Sequence, residues 1–301
     1  MRLQCARADR TESVSEAVDR VHDGDTIAIG GFINASHPMH VVREIVRRGL
    51  RGLRVVGAAS SGLEIDLLIA GGCVREVVAP YVGAEKYSSI GPVFRWAVQS
   101  GVVAVWEVDE AMYYAGLRAA AQRLPFNPWL AGIGTSFPVV NTDLKVFQDP
   151  VAGKRLLAIP AIEIDVAFVH ASASDSLGDV QYVGTGWGDK AQYAAANATV
   201  AQVERIVPVE EVRKAPERTL LPGVDAVVRA QFGAHPFSSP GYYREDERHI
   251  ALLVAAGTRL LKDADDGDIK RYLNEYVYGV DDEIEYLEKV GIRRLLSLSE
   301  Y

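Results

Sequence analysis

The chain has 301 residues, 49% of them hydrophobic and 24% charged, enough for one large α/β domain or two smaller ones. A formal net charge of −8 argues against the clustered basic surface that nucleic acid demands, and no apolar stretch approaches the ~18 uninterrupted residues of a membrane span. The first residues lack a signal peptide's hydrophobic segment, so a cytoplasmic location is expected, and Cys5 and Cys73 offer neither a disulfide framework nor metal-ligand spacing.

In chain order, a helix over 13–22 ends at the Asp23-Gly24 turn, and the apolar run Ile27, Ala28, Ile29 reads as a buried strand emptying into Gly30, Gly31 and Phe32. A helix start at Pro38 follows. Paired glycines at such a strand-to-helix turn let a ligand approach the backbone and leave amide N–H groups for an anion, although a tight turn alone would also use them. The helix over 38–50 carries Val41, Val42, Ile45 and Val46 at helical spacing, with Arg43, Arg47 and Arg48 on the other side. Next come a strand over 53–58, a turn at Ser60, Ser61 and Gly62, a short helix over 65–70, a strand over 74–79, a helix over 92–100 and a strand over 102–108.

Glu107, Asp109 and Glu110 end that strand and open a helix running to Leu124. Its polar stripe is Glu110, Tyr114, Arg118 and Gln122; its packing face is Ala115, Leu117, Ala119 and Ala121. Carboxylates at a helix start are stabilised by the dipole with no further role. The carboxyl end of a strand is also where α/β folds place ligands, which makes Glu107 the candidate catalytic base or substrate-positioning carboxylate. Proline and glycine punctuate 125–138 so heavily that a loop is expected. The second half continues with a strand over 166–171, an Asx-type turn at Asp175 and Asp179, a helix over 190–197 and a strand over 200–207. His235 lies in a rigid Gly-Ala-His-Pro loop, where its ring could meet a ligand or a backbone carbonyl. The GTGWG run at 184–188 lacks dinucleotide-binding spacing, and the acidic stretches at 263–268 and 281–285 read as solvated surface. The alternation of helices and strands gives an α/β class, a mainly parallel sheet flanked by helices, with no linker to divide residues 1–301.

The segment DGDTIAIGGFINASHP, at 23–38, resembles the signature of the family I coenzyme A transferases, with Ser36 standing where that family has glycine. EVDE at 107–110, LPFNP at 124–128, GIGTS at 132–136, DVAFVHASASDSLGD at 165–179, GAHPFSSPGYY at 233–243 and EYLEKVG at 285–291 are similar, in order, to the α subunit of glutaconate-type transferases. The resemblance implies a three-layer fold, a coenzyme A thioester as substrate with no bound cofactor or metal, and a β subunit as partner. It places substrate binding at Gly30, Gly31, Phe32, Asn34, Ser36, Ser60, Ser61, Gly134, Thr135, Ser136 and His235. In that family a glutamate in a Ser-Glu-Asn-Gly turn of the β subunit attacks the thioester. This chain has no such tetrapeptide; at the corresponding place it has Ser60, Ser61 and Gly62, with Glu64 further along. Two alternatives stay open. One is a ring-opening hydrolase of steroid degradation on the same fold, with Glu107 catalytic; there a basic residue tends to stand where this chain has Leu130. The other is a binding or scaffold subunit without chemistry.

Overall fold

The structure, a computed structural model, describes residues 8–299. Along the strand Thr26–Ile29 successive side chains point to opposite faces, so Ile27 and Ile29 enter one core and Ala28 another. Its parallel neighbours repeat the pattern: Val55, Val77, Val166 and Phe168 join Ile27 and Ile29, while Val56, Val78 and Ala167 join Ala28. Each face is covered. Helices Met39–Arg48, Glu64–Ala70, Pro92–Gln99 and Glu247–Asp263 bury their apolar sides on the first, and helix Glu110–Ala121 lies on the second with Ala115, Leu117 and Ala120. Small residues on both surfaces, Ala28 and Ala167 in the sheet against Ala115 and Ala120, allow close approach.

The nine-stranded sheet runs outward in both directions from its middle. From Thr26–Ile29 the chain adds Leu53–Val56, Val74–Val78 and Ala104–Val105 on one side, all parallel. It then returns to add Ile164–Ser174, Ala196–Ile206 and Ala226–Arg229 on the other, again parallel. Two short antiparallel strands, Val180–Gln181 and Thr219–Leu221, complete the sheet beyond the first strand's end. The order therefore reverses between Thr26–Ile29 and Ile164–Ser174, and the crevice outside the carboxyl ends of those strands is where open α/β sheets hold ligands.

The structure corrects several sequence expectations. The first helix is only Val14–Val18, closed at its start by a reciprocal Ser13–Glu16 capping box. The strand expected over 102–108 keeps a ladder at Ala104–Val105 alone, because the chain then swings out toward Asp109, whose carboxylate accepts the Met112 N–H and starts the next helix. The stretch expected as loop contains strand Phe126–Trp129, which joins Lys145–Gln148 and Arg155–Pro160 in a separate antiparallel sheet. Pro128 is tolerated because this is an edge strand, paired on one side only. Helix Asp189–Ala195 ends earlier than expected, and strand Ala196–Ile206 begins at once. On helix Glu110–Ala121, Glu110 and Arg118 are exposed and Tyr114 half-buried; of the opposite face Ala115, Leu117 and Ala119 are buried, but Ala121 is exposed. Asp175 forms the Asx-type turn, its Oδ1 accepting the N–H groups of Leu177 and Asp179. Cys73 is a buried free thiol; Cys5 lies outside the described residues. Among the described residues no helix is long and apolar enough to cross a membrane, and no cluster could hold a metal ion.

Candidate active site

Where the strand order reverses, the chain leaves Ile29 through Gly30 and Gly31, and both amides are already used. The Gly30 N–H donates to the Phe168 carbonyl at 2.8 Å and the Gly31 N–H to Asp189 Oδ1 at 2.9 Å. The expectation that these N–H groups await an anion is therefore corrected. The glycines serve close packing: a Cβ on Gly30 would lie 2.5 Å from Asp189 Oδ1, and Gly31 adopts φ +106° with His37 Nδ1 2.6 Å from where its Cβ would be.

Beyond them Phe32 remains 36% exposed and stacks on Trp187, the rings 5.8 Å apart and nearly coplanar in tilt at 2°. The Asn34 backbone carbonyl accepts from Ser238 N–H and Oγ–H at 2.9 and 3.0 Å, while its side-chain oxygen is buried without a hydrogen-bond partner. Ser36 is buried with φ +57°, so it holds the left-handed conformation that glycine would take there. The Ile33 N–H donates to the Ser60 carbonyl at 2.8 Å, which ties this loop to the Ser60–Ser61 segment. Ser60 is half-buried; the Ser61 hydroxyl is buried and donates to the Ala58 carbonyl at 3.0 Å.

The floor beneath is polar, and the sequence reading missed it. Gln192 Nε2 donates to the carbonyls of Ile29 and Gly57 at 3.3 and 3.1 Å and to the Tyr113 hydroxyl at 3.1 Å, while that hydroxyl donates to Gly57. One amide thus joins the carboxyl ends of two strands to helix Glu110–Ala121. Asp189 is wholly buried and accepts from Gly31 N–H and from the Tyr182 hydroxyl, 2.9 Å each. The only available signal was the Gly-Trp-Gly run directly before it, which fails as a dinucleotide motif but delivers Trp187 and Asp189 to the glycine loop.

Burial pushes the Asp189 carboxyl up to about 7. The folded chain therefore holds that proton more tightly than the unfolded chain, whose aspartate titrates near ~3.9. Between roughly pH 4 and 7 the unfolded state binds fewer protons, so stability falls as pH rises through this window. Asp189→Asn keeps an oxygen for Gly31 and removes the charge. We expect the difference in urea midpoint between about pH 4.5 and 7.5 to shrink in the variant; an unchanged difference contradicts this account.

Glu107 is exposed at the same edge, its backbone carbonyl accepting from Asn141 Nδ2 at 2.9 Å. Asn141 closes the helix Phe137–Val140 that follows the GIGTS loop, so Glu107 and that loop are fastened together. Gly134, Thr135 and Ser136 are exposed; the Thr135 hydroxyl donates back to the Gly132 carbonyl at 2.6 Å. His235 is placed differently from expectation. It is fully buried, Nδ1 paired with the Tyr286 hydroxyl at 2.7 Å and Nε2 with Asp246 Oδ2 at 3.2 Å, so its ring fastens the C-terminal helices. A cavity of about 570 Å³ lined by Ser238, Arg244 and Arg294, among others, takes in none of the predicted site residues. Glu64 is wholly buried with Oε1 accepting the Gly62 N–H at 3.0 Å, so it presents no carboxylate to a substrate.

A doubly wound parallel sheet with a glycine turn at its reversal point defines a three-layer α/β protein of coenzyme A transferase type. The sequence profile of the coenzyme A transferase family matches residues 11–230, and the chain belongs to that family. The crystal structure of glutaconate coenzyme A-transferase from Acidaminococcus fermentans superposes with a TM-score of 0.89 at 28% identity, covering 97% of this chain and 96% of that one. The Mycobacterium tuberculosis cholesterol ring-cleaving hydrolase IpdA subunit is 36% identical over 84% of this chain and 90% of its own. An uncharacterized Archaeoglobus fulgidus protein is 37% identical over 97% of this chain, which spans 66% of that protein's length.

Proposed function

We propose that this chain is the α subunit of a heteromeric enzyme that moves coenzyme A between an acyl-CoA and a carboxylic acid, with the attacking glutamate on the β subunit. In such a reaction the glutamate carboxylate displaces coenzyme A thiolate from the acyl group, and the thiolate attacks the glutamyl carbonyl of the resulting anhydride to give a glutamyl thioester and release the donor acid as its carboxylate. The acceptor carboxylate then runs the same two steps in reverse, leaving as the new acyl-CoA and freeing the glutamate. The observation that carries this reading is the incomplete ledge at the sheet's reversal point. Phe32 is exposed there, and Glu107 and Gly134–Ser136 are exposed past the end of the edge strand Ala104–Val105, yet Glu64, the carboxylate nearest the family's nucleophile position, is sealed inside. Gly30, Gly31, Ser36 and the buried Ser61 shape the ledge from within, Asn34 and Ser60 extend it, and His235 acts at a distance as a structural residue.

An exposed apolar patch supports the same reading. Leu130, Val139 and Val140 are 65%, 77% and 59% exposed and flank the GIGTS loop, an apolar display suited to burial against a second chain. The test is co-expression with the chain encoded beside this one and an acyl-CoA panel assay with and without carboxylic acid acceptors. Acceptor-dependent turnover by the complex supports the proposal; binding of no acyl-CoA by the complex favours a scaffold.

The exposure of Glu107, together with the 36% identity to a ring-cleaving hydrolase subunit, favours a second reading in which Glu107 is the base of a CoA-thioester hydrolase. Glu107→Ala separates the two. It is expected to slow a transferase by about tenfold in kcat/KM and to abolish a hydrolase, a loss of ~1,000-fold or more. The readout is kcat/KM of the complex with acyl-CoA, and loss of activity with acyl-CoA binding intact contradicts the transferase assignment.

A further inference from the structure

The glycine loop is conformationally strained, and one buried ring braces it. Gly31 at φ +106°, Ile33 at +49° and Ser36 at +57° place three left-handed residues within six positions, and for a β-branched isoleucine this conformation is rare and costly. His37 spans the strained stretch: Nδ1 lies 2.8 Å from the Gly30 carbonyl oxygen and Nε2 3.0 Å from the Ile33 carbonyl oxygen. Both partners are acceptors only. A neutral imidazole carries a single N–H, so one of these contacts would set a lone pair against a lone pair; the imidazolium supplies both hydrogens. Glu64 Oε2 lies 3.4 Å from Nε2, and both side chains are fully buried. Oε2 has no other hydrogen-bond partner, and Oε1 holds Gly62 at the far side.

We propose that His37 is a positioning residue held as a buried imidazolium, with ionised Glu64 as its counter-charge, locking the glycine loop to the Ser60–Gly62 segment. Burial is the largest influence on both groups and works toward neutrality: with the hydrogen-bonding contacts included, the imidazole lies at about 4 and the carboxyl at about 8. The two carbonyls oppose this for the ring, and each ion removes the penalty of the other. The other groups that face the pair are His170, which disfavours a charged His37, and Asp66, which disfavours a charged Glu64; the Phe237 ring packs edge-on, 5.0 Å from the His37 ring. The consequence for the ledge is geometric. The side chains of Phe32, Asn34 and Ser60 project from the two segments that this ion pair joins.

The charge state itself is independent of the proposed reaction; only its effect on turnover rests on that reading. The test is a long-range proton–nitrogen spectrum of the histidine-labelled, co-expressed complex from about pH 5 to 9, with His37 assigned through His37→Gln. We expect both ring nitrogens of His37 to be protonated throughout. A single-tautomer spectrum for His37 at neutral pH overturns the proposal. In Glu64→Gln the His37 signals are expected to shift to the neutral form, with kcat/KM for acyl-CoA falling ~10- to 100-fold. An unchanged His37 spectrum in that variant also overturns it. A protonated His37 in a complex that turns over no acyl-CoA leaves the ion pair standing and removes the functional reading instead.

Discussion

Placing aspartate at both Leu130 and Val139 is expected to separate this chain from its partner without unfolding it. The two side chains are 65% and 77% exposed, so the isolated chain loses no buried contact and its thermal midpoint should move by no more than a degree or two. In the assembled enzyme the same positions would carry unpaired carboxylates into an apolar interface, at a cost of several kcal/mol. A loss of 3 to 5 kcal/mol corresponds to ~100- to 5,000-fold weaker association. Titration of the purified subunits, followed by light scattering, measures it. A complex of wild-type affinity would mean that this face stays in solvent and that the partner docks elsewhere.

Glu283→Ala is expected to be the most destabilising single change in the chain. Arg43 leaves helix Met39–Arg48 wholly buried, donates to Glu283 Oε1 at 2.5 Å and to the His235 carbonyl at 3.0 Å, and lies 3.6 Å from the centroid of the Tyr286 ring. His40 reaches the other carboxylate oxygen at 2.9 Å. Truncating the glutamate strands a guanidinium with no counter-charge, a loss of ~3–5 kcal/mol. Replacing Arg43 and Glu283 together by methionine removes both ions and should recover most of that loss. Urea denaturation of the two variants decides the matter: if the double variant is as unstable as Glu283→Ala, packing rather than charge holds the C-terminal helices.

Much of the fold could be read from the residues because local chemistry and global arrangement agree there. The run Ile27, Ala28, Ile29 into two glycines looks the same in sequence and in space. The antiparallel sheet was hidden because proline at 125 and 128 suggests a loop, and only pairing with Arg155–Pro160 makes Phe126–Trp129 an edge strand. The candidate site was half legible. Residues that protrude, such as Phe32 and Glu107, announced themselves by position at strand ends. Those that work from inside did not: Gln192 is joined to Ile29, Gly57 and Tyr113 only by the fold, and Asp189 reaches Gly31 across 158 positions. His235 misled for the same reason, since its partners Asp246 and Tyr286 come from elements distant in sequence.

The central claim, that this chain forms half of a thioester-handling cleft whose nucleophile lies on the other subunit, is tested most directly by trapping. The co-expressed complex would be incubated with an acyl-CoA, treated with borohydride or hydroxylamine, and each chain weighed intact by mass spectrometry. The account predicts a modified glutamate on the partner chain and an unmodified mass for this one. A mass change on this chain, or acyl-CoA turnover by this chain purified alone, would contradict it.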